Sequence, residues 1–233
     1  MTEIPPLNLK SLREQVYLHL KESITRGGLD PGAFLDLGRL SREMGISKTP
    51  LRDALIQLET EGFVSILPRR GVVVNELSID EIRHLYQMIG ALEAAAVVAV
   101  AERLEPAHLD RMRSLNDRML RAIEADDFAA YYDLNVEFHN VVLSLSDNER
   151  LVATVERFKE RLYDFPRREH FVKEWEIAST GEHAAFVERL ERGDARAAAD
   201  YLRDVHWSFA VQERFVRRYY FAREHDHRDA GGR

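Results

Sequence analysis

The stretch from Leu40 to Phe63, LSREMGISKTPLRDALIQLETEGF, constrains the fold of this chain most. Leu40 and Met44 share one side of a short segment. Leu51, Ala54, Leu55 and Leu58 share one side of the next, which is helical spacing. Gly45-Ile46-Ser47 lies between them; Gly45 suits a left-handed cap that ends the first helix, and Ser47 an N-cap that opens the second. Two helices about a glycine-containing turn make a helix-turn-helix. The second opens Ser47-Lys48-Thr49-Pro50 and runs on to Arg52, so hydroxyls and cations crowd its first turn while its apolar residues face away. A recognition helix needs that division, because its N-terminal end meets base edges while its back packs on a core. The competing reading is an ordinary surface helix pair with scattered charges.

The residues that follow favour the DNA reading. Phe63–Leu67 and Val72–Val74 are short β-branched runs joined by Pro68-Arg69-Arg70-Gly71. This predicts a small hairpin wing with two arginines at its tip, able to reach phosphates or the minor groove. The formal net charge of −7 argues the other way at first. Between Arg39 and Gly71, however, six basic side chains outnumber four acidic ones, a local balance of +2 that leaves −9 on the rest. A locally basic surface on an acidic body still binds DNA.

These residues resemble the winged helix of GntR-type bacterial transcription regulators: Leu29-Asp30-Pro31-Gly32, Leu40, Gly45 through Leu55, Leu58, Glu61-Gly62 and Arg69-Arg70-Gly71. The resemblance implies that Lys48, Thr49 and Arg52 face an operator, with Ser47 beside them. It also implies that Gly71 lets the wing approach DNA closely and that Arg69 and Arg70 flank it. The segment Leu35–Arg39 is shorter than in the family, and Arg39 and Arg42 are the phosphate-facing candidates there.

Met1–Leu7 is a tail, and Asn8 is expected to cap a helix to about Arg26 with Leu12, Val16, Leu20 and Ile24 on one face. Beyond Glu76 the pattern becomes almost wholly helical. Ser78 opens a long helix to about Leu104, whose segment Ala94–Ala101 is apolar all round and expected to be buried. Further helices are expected from Pro106 to Ala125, from Asp126 or Asp127 to Leu145, and from Asp147-Asn148 to Phe165. After an ambiguous stretch, Arg167 to Ser179, one more runs from Ser179-Thr180 to Arg192, and after a turn at Gly193-Asp194 a last helix runs to about Tyr220. The polar tail 223–233 is expected to be disordered.

This second region resembles the all-helical FCD effector domain of the FadR-like branch, through Leu92-Glu93, Phe138-His139, Asn148 to Leu151, Glu182-His183 and Gly193-Asp194. That implies an antiparallel helical bundle around a cavity that holds a divalent metal and a small organic acid. Asn135 and His139 share a helix face, and His183 and His206 sit on other helices, so these four are the candidate effector-binding and metal-ligating residues. The sequence departs from the family in three places. The aspartate position holds Asn135, the final histidine position holds Val205, and an arginine position four residues before Glu93 holds Ile89. One residue turns a helix by about 100°, so His206 is expected to point away. The expectation is a cavity that keeps His139 and His183 but holds zinc or nickel weakly or not at all.

With no cysteine, disulfide and thiolate chemistry are excluded. The run Ala91–Ala101 contains Glu93 and is too short to cross a bilayer, and the N-terminus lacks a signal pattern. The chain is therefore read as mostly α. A winged helix-turn-helix domain with a β-hairpin wing spans 1–76, an all-α antiparallel bundle that dimerises spans 77–222, and a tail spans 223–233. The function expected is a cytoplasmic homodimeric regulator, a repressor, that binds double-stranded operator DNA under control of a small organic acid, with no membrane partner. One rival is a helical metal-dependent enzyme using His139, His183 and His206, weakened because no carboxylate is placed as a general base. The other is a DNA-binding dimer with no effector.

Overall fold

The computed structural model describes residues 11–163 and 172–221. Its backbone separates into two compact units: one is formed by the described residues to Leu77 together with 160–163, the other by those from Ser78 to Lys159 and from 172 onward.

In the first unit, α1 (Leu12–Thr25) buries Val16, Leu20 and Ile24 as expected, but Leu12 is half exposed in the first turn. The expected cap Asn8 lies outside the described residues; Ser11 caps α1, its hydroxyl accepting from the Glu14 N–H at 3.2 Å. The helix-turn-helix is formed by α2 (Leu37–Glu43) and α3 (Lys48–Thr60). Gly45 at φ +63° makes the turn between them, and Ile46 N–H donates back to Ser41 O. Leu40, Leu51, Ala54, Leu55 and Leu58 are buried against Val16, Leu20 and Ile24 of α1 in one apolar core. The wing strands are β2 (Val64–Leu67) and β3 (Gly71–Val74), paired from Val64↔Val74 to Leu67↔Gly71. A third strand, β1 (Phe34–Leu35), pairs on the outer edge of β3, giving the order β1-β3-β2. Two residues are too few to show an alternating pattern, so the sequence did not announce it.

The second unit opens with α4 (Ile79–Val100), capped by Ser78 and continued by a single tight turn at Ala101–Arg103. Ile79–Arg103 is long and apolar enough to span a bilayer, contrary to the shorter run counted from sequence. Half of it is buried within the bundle, as in the core helix of a globular domain. Within Ala94–Ala101, Ala95, Val98 and Ala99 are exposed, which corrects the expectation that this segment is buried; Ala95 and Val98 continue an exposed apolar stripe that begins at Met88 and Ala91. Then follow α5 (Pro106–Glu124), α6 (Phe128–Leu143) capped by Asp127, and α7 (Glu149–Tyr163), whose first turn accepts Asn148 as cap. The expected end of α7 at Phe165 and residues 167–171 of the ambiguous stretch lie outside the described residues. Next, α8 (Lys173–Glu191) begins six residues before Ser179. Ser179 and Thr180 are therefore buried mid-helix and not its cap. The hydroxyl of Thr180 bonds back to Ile177 O, a local bond that a helix interior accommodates.

The last helix is broken as well. After α9 (Ala195–Tyr201) comes a π turn, Leu202–His206, in which Trp207 N–H donates to Leu202 O at 2.9 Å. Only past Ser208 does α10 (Phe209–Phe221) begin.

Candidate DNA-binding surface and histidine site

All the candidate DNA-facing residues are exposed: Arg39, Arg42, Ser47, Lys48, Thr49, Arg52, Arg69, Arg70 and Gly71. Leu51, Ala54, Leu55 and Leu58 pack α3 on the core, which leaves Thr49 on the opposite side, Arg52 on the flank and Lys48 exposed at the free N-terminal end. Among the described residues, no ion pair is formed by Lys48, Arg52, Arg69 or Arg70, whereas Arg39 lies 3.5 Å from Glu43 and Arg42 acts on the Asp36 carboxyl. Arg69 has φ +62°, and Arg70 N–H closes the turn onto Leu67 O, so the two guanidinium groups leave the wing at its tip. Ser47 occupies the N-cap position of α3 but makes no capping hydrogen bond. Pro50, third in the helix, has no N–H and so removes one of the two donors that such a hydroxyl ordinarily accepts from. That hydroxyl and the first N–H groups of α3 remain at an exposed helix N-terminus, which favours phosphate. Sequence reasoning missed Phe34, whose 55% exposed ring stands beside Gly71.

The second unit gathers His139 of α6, His183 of α8 and His206 of the π turn, with one ligand nitrogen of each within 4.8 Å of the others. The expectation that His206 points away is overturned, and the π turn explains why. It adds a residue to the helical turn, so the helix rotation that should have carried His206 outward is absorbed before it. All three rings are buried, and His183 is fully enclosed and stacked on Phe138. Asn135 is buried one turn before His139 on the same helix.

Two carboxylates correct the expectation that none stood beside these histidines. His139 Nδ1 lies 3.0 Å from Glu93 Oε2, and His206 Nδ1 lies 2.8 Å from Glu182 Oε2. Glu182 therefore does not serve a helix start; its other oxygen accepts from Gln212 Nε2 at 2.8 Å. A carboxylate only accepts, so each imidazole donates from Nδ1 and keeps the Nε2 lone pair for the cluster. Glu93 also accepts the Trp207 indole N–H at 2.8 Å and pairs with Lys159 of α7. Burial would raise the Glu93 carboxyl, but His139 and Lys159 beside it hold it well below the usual carboxylate range. Burial lowers His139 to about 4 against the opposing pull of Glu93, and burial holds His183 well below the usual imidazole range, with neighbouring imidazoles and Lys159 adding to both. Both are neutral at pH 7, the form that ligates metal.

The donor set fits a divalent metal. His139 Nε2 and both nitrogens of His183 are buried with no hydrogen-bond partner. Such orphaned polar nitrogens, a donor among them on neutral His183, cost free energy unless something binds them. Carboxylates on the outer nitrogens are the usual support of metal-bound imidazoles. A space of about 10 Å³ beside Glu93 and His139, also lined by Val97, Phe186 and Leu202, has room for one water. The sequence did carry signals of the missed partners. Glu93 is a lone charge in an Ala-Val run, and Lys159 sits one helical turn after buried Val155.

A winged helix with unpaired cations on its recognition turn, joined to a helical bundle, defines a DNA-binding transcription regulator. Comparison with known proteins agrees. Residues 12–74 match the gntR family of bacterial regulatory proteins, and residues 84–206 match the FCD domain. The chain belongs to the GntR family of bacterial transcription regulators and carries an FCD domain. It is 30% identical over 156 residues to a Streptomyces ambofaciens HTH-type regulator, covering 66% of this chain and just under two thirds, 65%, of that one. It is 28% identical over 152 residues to Escherichia coli McbR, covering 65% and 69%. Among solved structures, E. coli McbR/YncC aligns with a TM-score of 0.62 at 22% identity, covering 89% and 96%. The structure of Lar, which controls the expression of the Listeria monocytogenes agr system, also aligns with a TM-score of 0.62, at 24% identity, covering 90% and 99%. These relatives are regulators and not enzymes, so the enzymatic rival is set aside.

Proposed function

We propose that this protein is a cytoplasmic homodimeric repressor whose hold on an operator is set by occupancy of the histidine site. Domain 1–76 binds DNA through Ser47, Lys48, Thr49 and Arg52 in the major groove. Arg69, Arg70 and Gly71 follow at the wing, and Arg39 and Arg42 meet phosphates. Domain 77–222 dimerises and senses, with Asn135, His139, His183 and His206 around the effector or metal. The observation that carries the reading is the set of unpaired exposed cations on the first turn of α3 and on the wing. The exposed stripe Met88, Ala91, Ala95 and Val98 on α4 supports dimerisation, since small apolar residues let two copies of a helix approach. A dimer sets two recognition helices on neighbouring half-sites, so the operator is expected to be a short imperfect palindrome. An effector that binds two arrangements unequally then shifts DNA affinity.

The test is selection of bound duplexes from a random pool, then competition with organic acids and with zinc or nickel. Failure to retain any duplex at low ionic strength would end this reading. The second reading, a DNA-binding dimer with no organic effector, is favoured by the water-sized space beside His139. It predicts that no organic acid changes operator affinity.

A further inference from the structure

The proposed metal site requires His206 to face inward, and a regular helix would turn it outward. A π turn is a departure from the helix that needs support from its surroundings. That support comes from α4. The indole of Trp207, the residue directly after the turn, is buried and donates to Glu93 Oε2 at 2.8 Å. Its ring packs edge-on against Tyr86 at 5.4 Å and against His206 at 5.2 Å. One helical turn before Glu93 stands Gly90, where a Cβ would lie 2.8 Å from Trp207 Cβ and 3.5 Å from Arg203 Cα. The turn's backbone thus leans into a place on α4 that no side chain could share. Glu93 in turn fixes His139. One carboxylate therefore orients one imidazole directly and, through Trp207, the register that presents another.

We infer that Trp207 and Gly90 are positioning residues of the histidine site: docking of the π turn on α4 is what brings His206 to His139 and His183. The site is then assembled only while the turn is seated on the helix that bears the exposed apolar stripe. This rests on the reading of the three histidines as a divalent-metal site.

The experiment uses the full chain and cobalt(II) as the probe, whose visible bands report the ligands. Trp207→Phe keeps the ring and removes the N–H; Gly90→Ala adds one methyl; His206→Ala removes the ligand itself. Expected are a tenfold or greater weakening of cobalt binding in Trp207→Phe and Gly90→Ala, and bands shifted to those of His206→Ala. The Trp207→Phe/His206→Ala double variant should bind no more weakly than His206→Ala alone. Folding of each variant is checked by circular dichroism. Wild-type affinity and bands in both positioning variants, with loss in His206→Ala, would overturn the inference and leave the metal site standing. If the unaltered protein takes up no cobalt, the metal reading fails. The register is then judged by the ¹⁵N shifts of the His206 ring: movement on Trp207→Phe supports the positioning role, and no movement overturns it.

Discussion

Trp207 donates its indole N–H to the same Glu93 oxygen that lies 3.0 Å from His139 Nδ1, while Lys159 pairs with the other oxygen. The bundle core thus holds a charge pair whose members are each nearly inaccessible to water. Removing one member leaves the other buried without compensation, at a cost of about 3–5 kcal/mol. Glu93→Leu should therefore lower stability by that order in urea unfolding. Combining it with Lys159→Met should recover most of the loss, since an apolar pair of similar volume replaces the ions. A double variant as unstable as Glu93→Leu would show that the pair is not the source.

Ser47 gives a sharper prediction than its neighbours because it departs from the ordinary cap. Losing an N-cap hydroxyl usually costs about 1 kcal/mol of stability. Here no capping bond exists to lose, so Ser47→Ala should leave the melting temperature almost unchanged. If the hydroxyl meets a phosphate, the same change should weaken operator binding several-fold in fluorescence anisotropy. A clear drop in melting temperature would show that it caps α3 after all.

Arg52→Ala, on the exposed side of α3, should cost about 1–3 kcal/mol in operator binding and relax preference at one base position. Arg70→Ala should instead weaken all sequences alike and lower the salt slope by about one. Equal effects on operator and random duplex for both variants would remove α3 from base readout.

The first unit was legible because its local signals agreed: apolar spacing, Gly45 at the turn and β-branched runs about Arg69-Arg70. The two-residue β1 carried no such pattern. In the bundle, Ser179-Thr180 followed by Glu182 imitates a helix start, yet the helix had already begun at Lys173. Caps are local marks, and burial of Thr180 in the core is decided by tertiary packing. The histidines were visible as residues, but their convergence was not. It depends on a π turn that no periodicity announces and that α4 holds through contacts more than 100 residues distant in sequence.

Lys159 is the opposing charge of the histidine site. It offsets Glu93 and contributes to keeping His139 and His183 neutral. A divalent cation entering the cluster meets its repulsion, on the order of 4–5 kcal/mol at an effective dielectric near 20 over ~7–8 Å. Lys159→Met should therefore tighten zinc or cobalt binding at least tenfold in calorimetry, even while it destabilises the apo protein. Unchanged or weaker binding would mean that the ammonium group does not act on the cluster.

Glu176 of α8 supplies a pH dependence that is separate from the histidines. It is 5% exposed, bonds to Tyr131, and burial raises its carboxyl to about 7. It also lies near Tyr132, whose hydroxyl bonds to Tyr219 at 3.2 Å. An unfolded glutamate titrates near 4.3, so folding favours the protonated form. Its contribution is fully present below pH ~4.3 and is lost as pH rises through about 7. The depressed His139 runs the other way: its contribution is present above ~6.5 and lost as pH falls toward about 4. The comparison that isolates Glu176 is wild type against Glu176→Gln, in urea unfolding from pH 5 to pH 8.5. The variant should gain on wild type by on the order of 2 kcal/mol across that range, since an amide keeps a neutral hydrogen-bonding group at every pH. Parallel curves would show that Glu176 is ionised in the folded protein without cost.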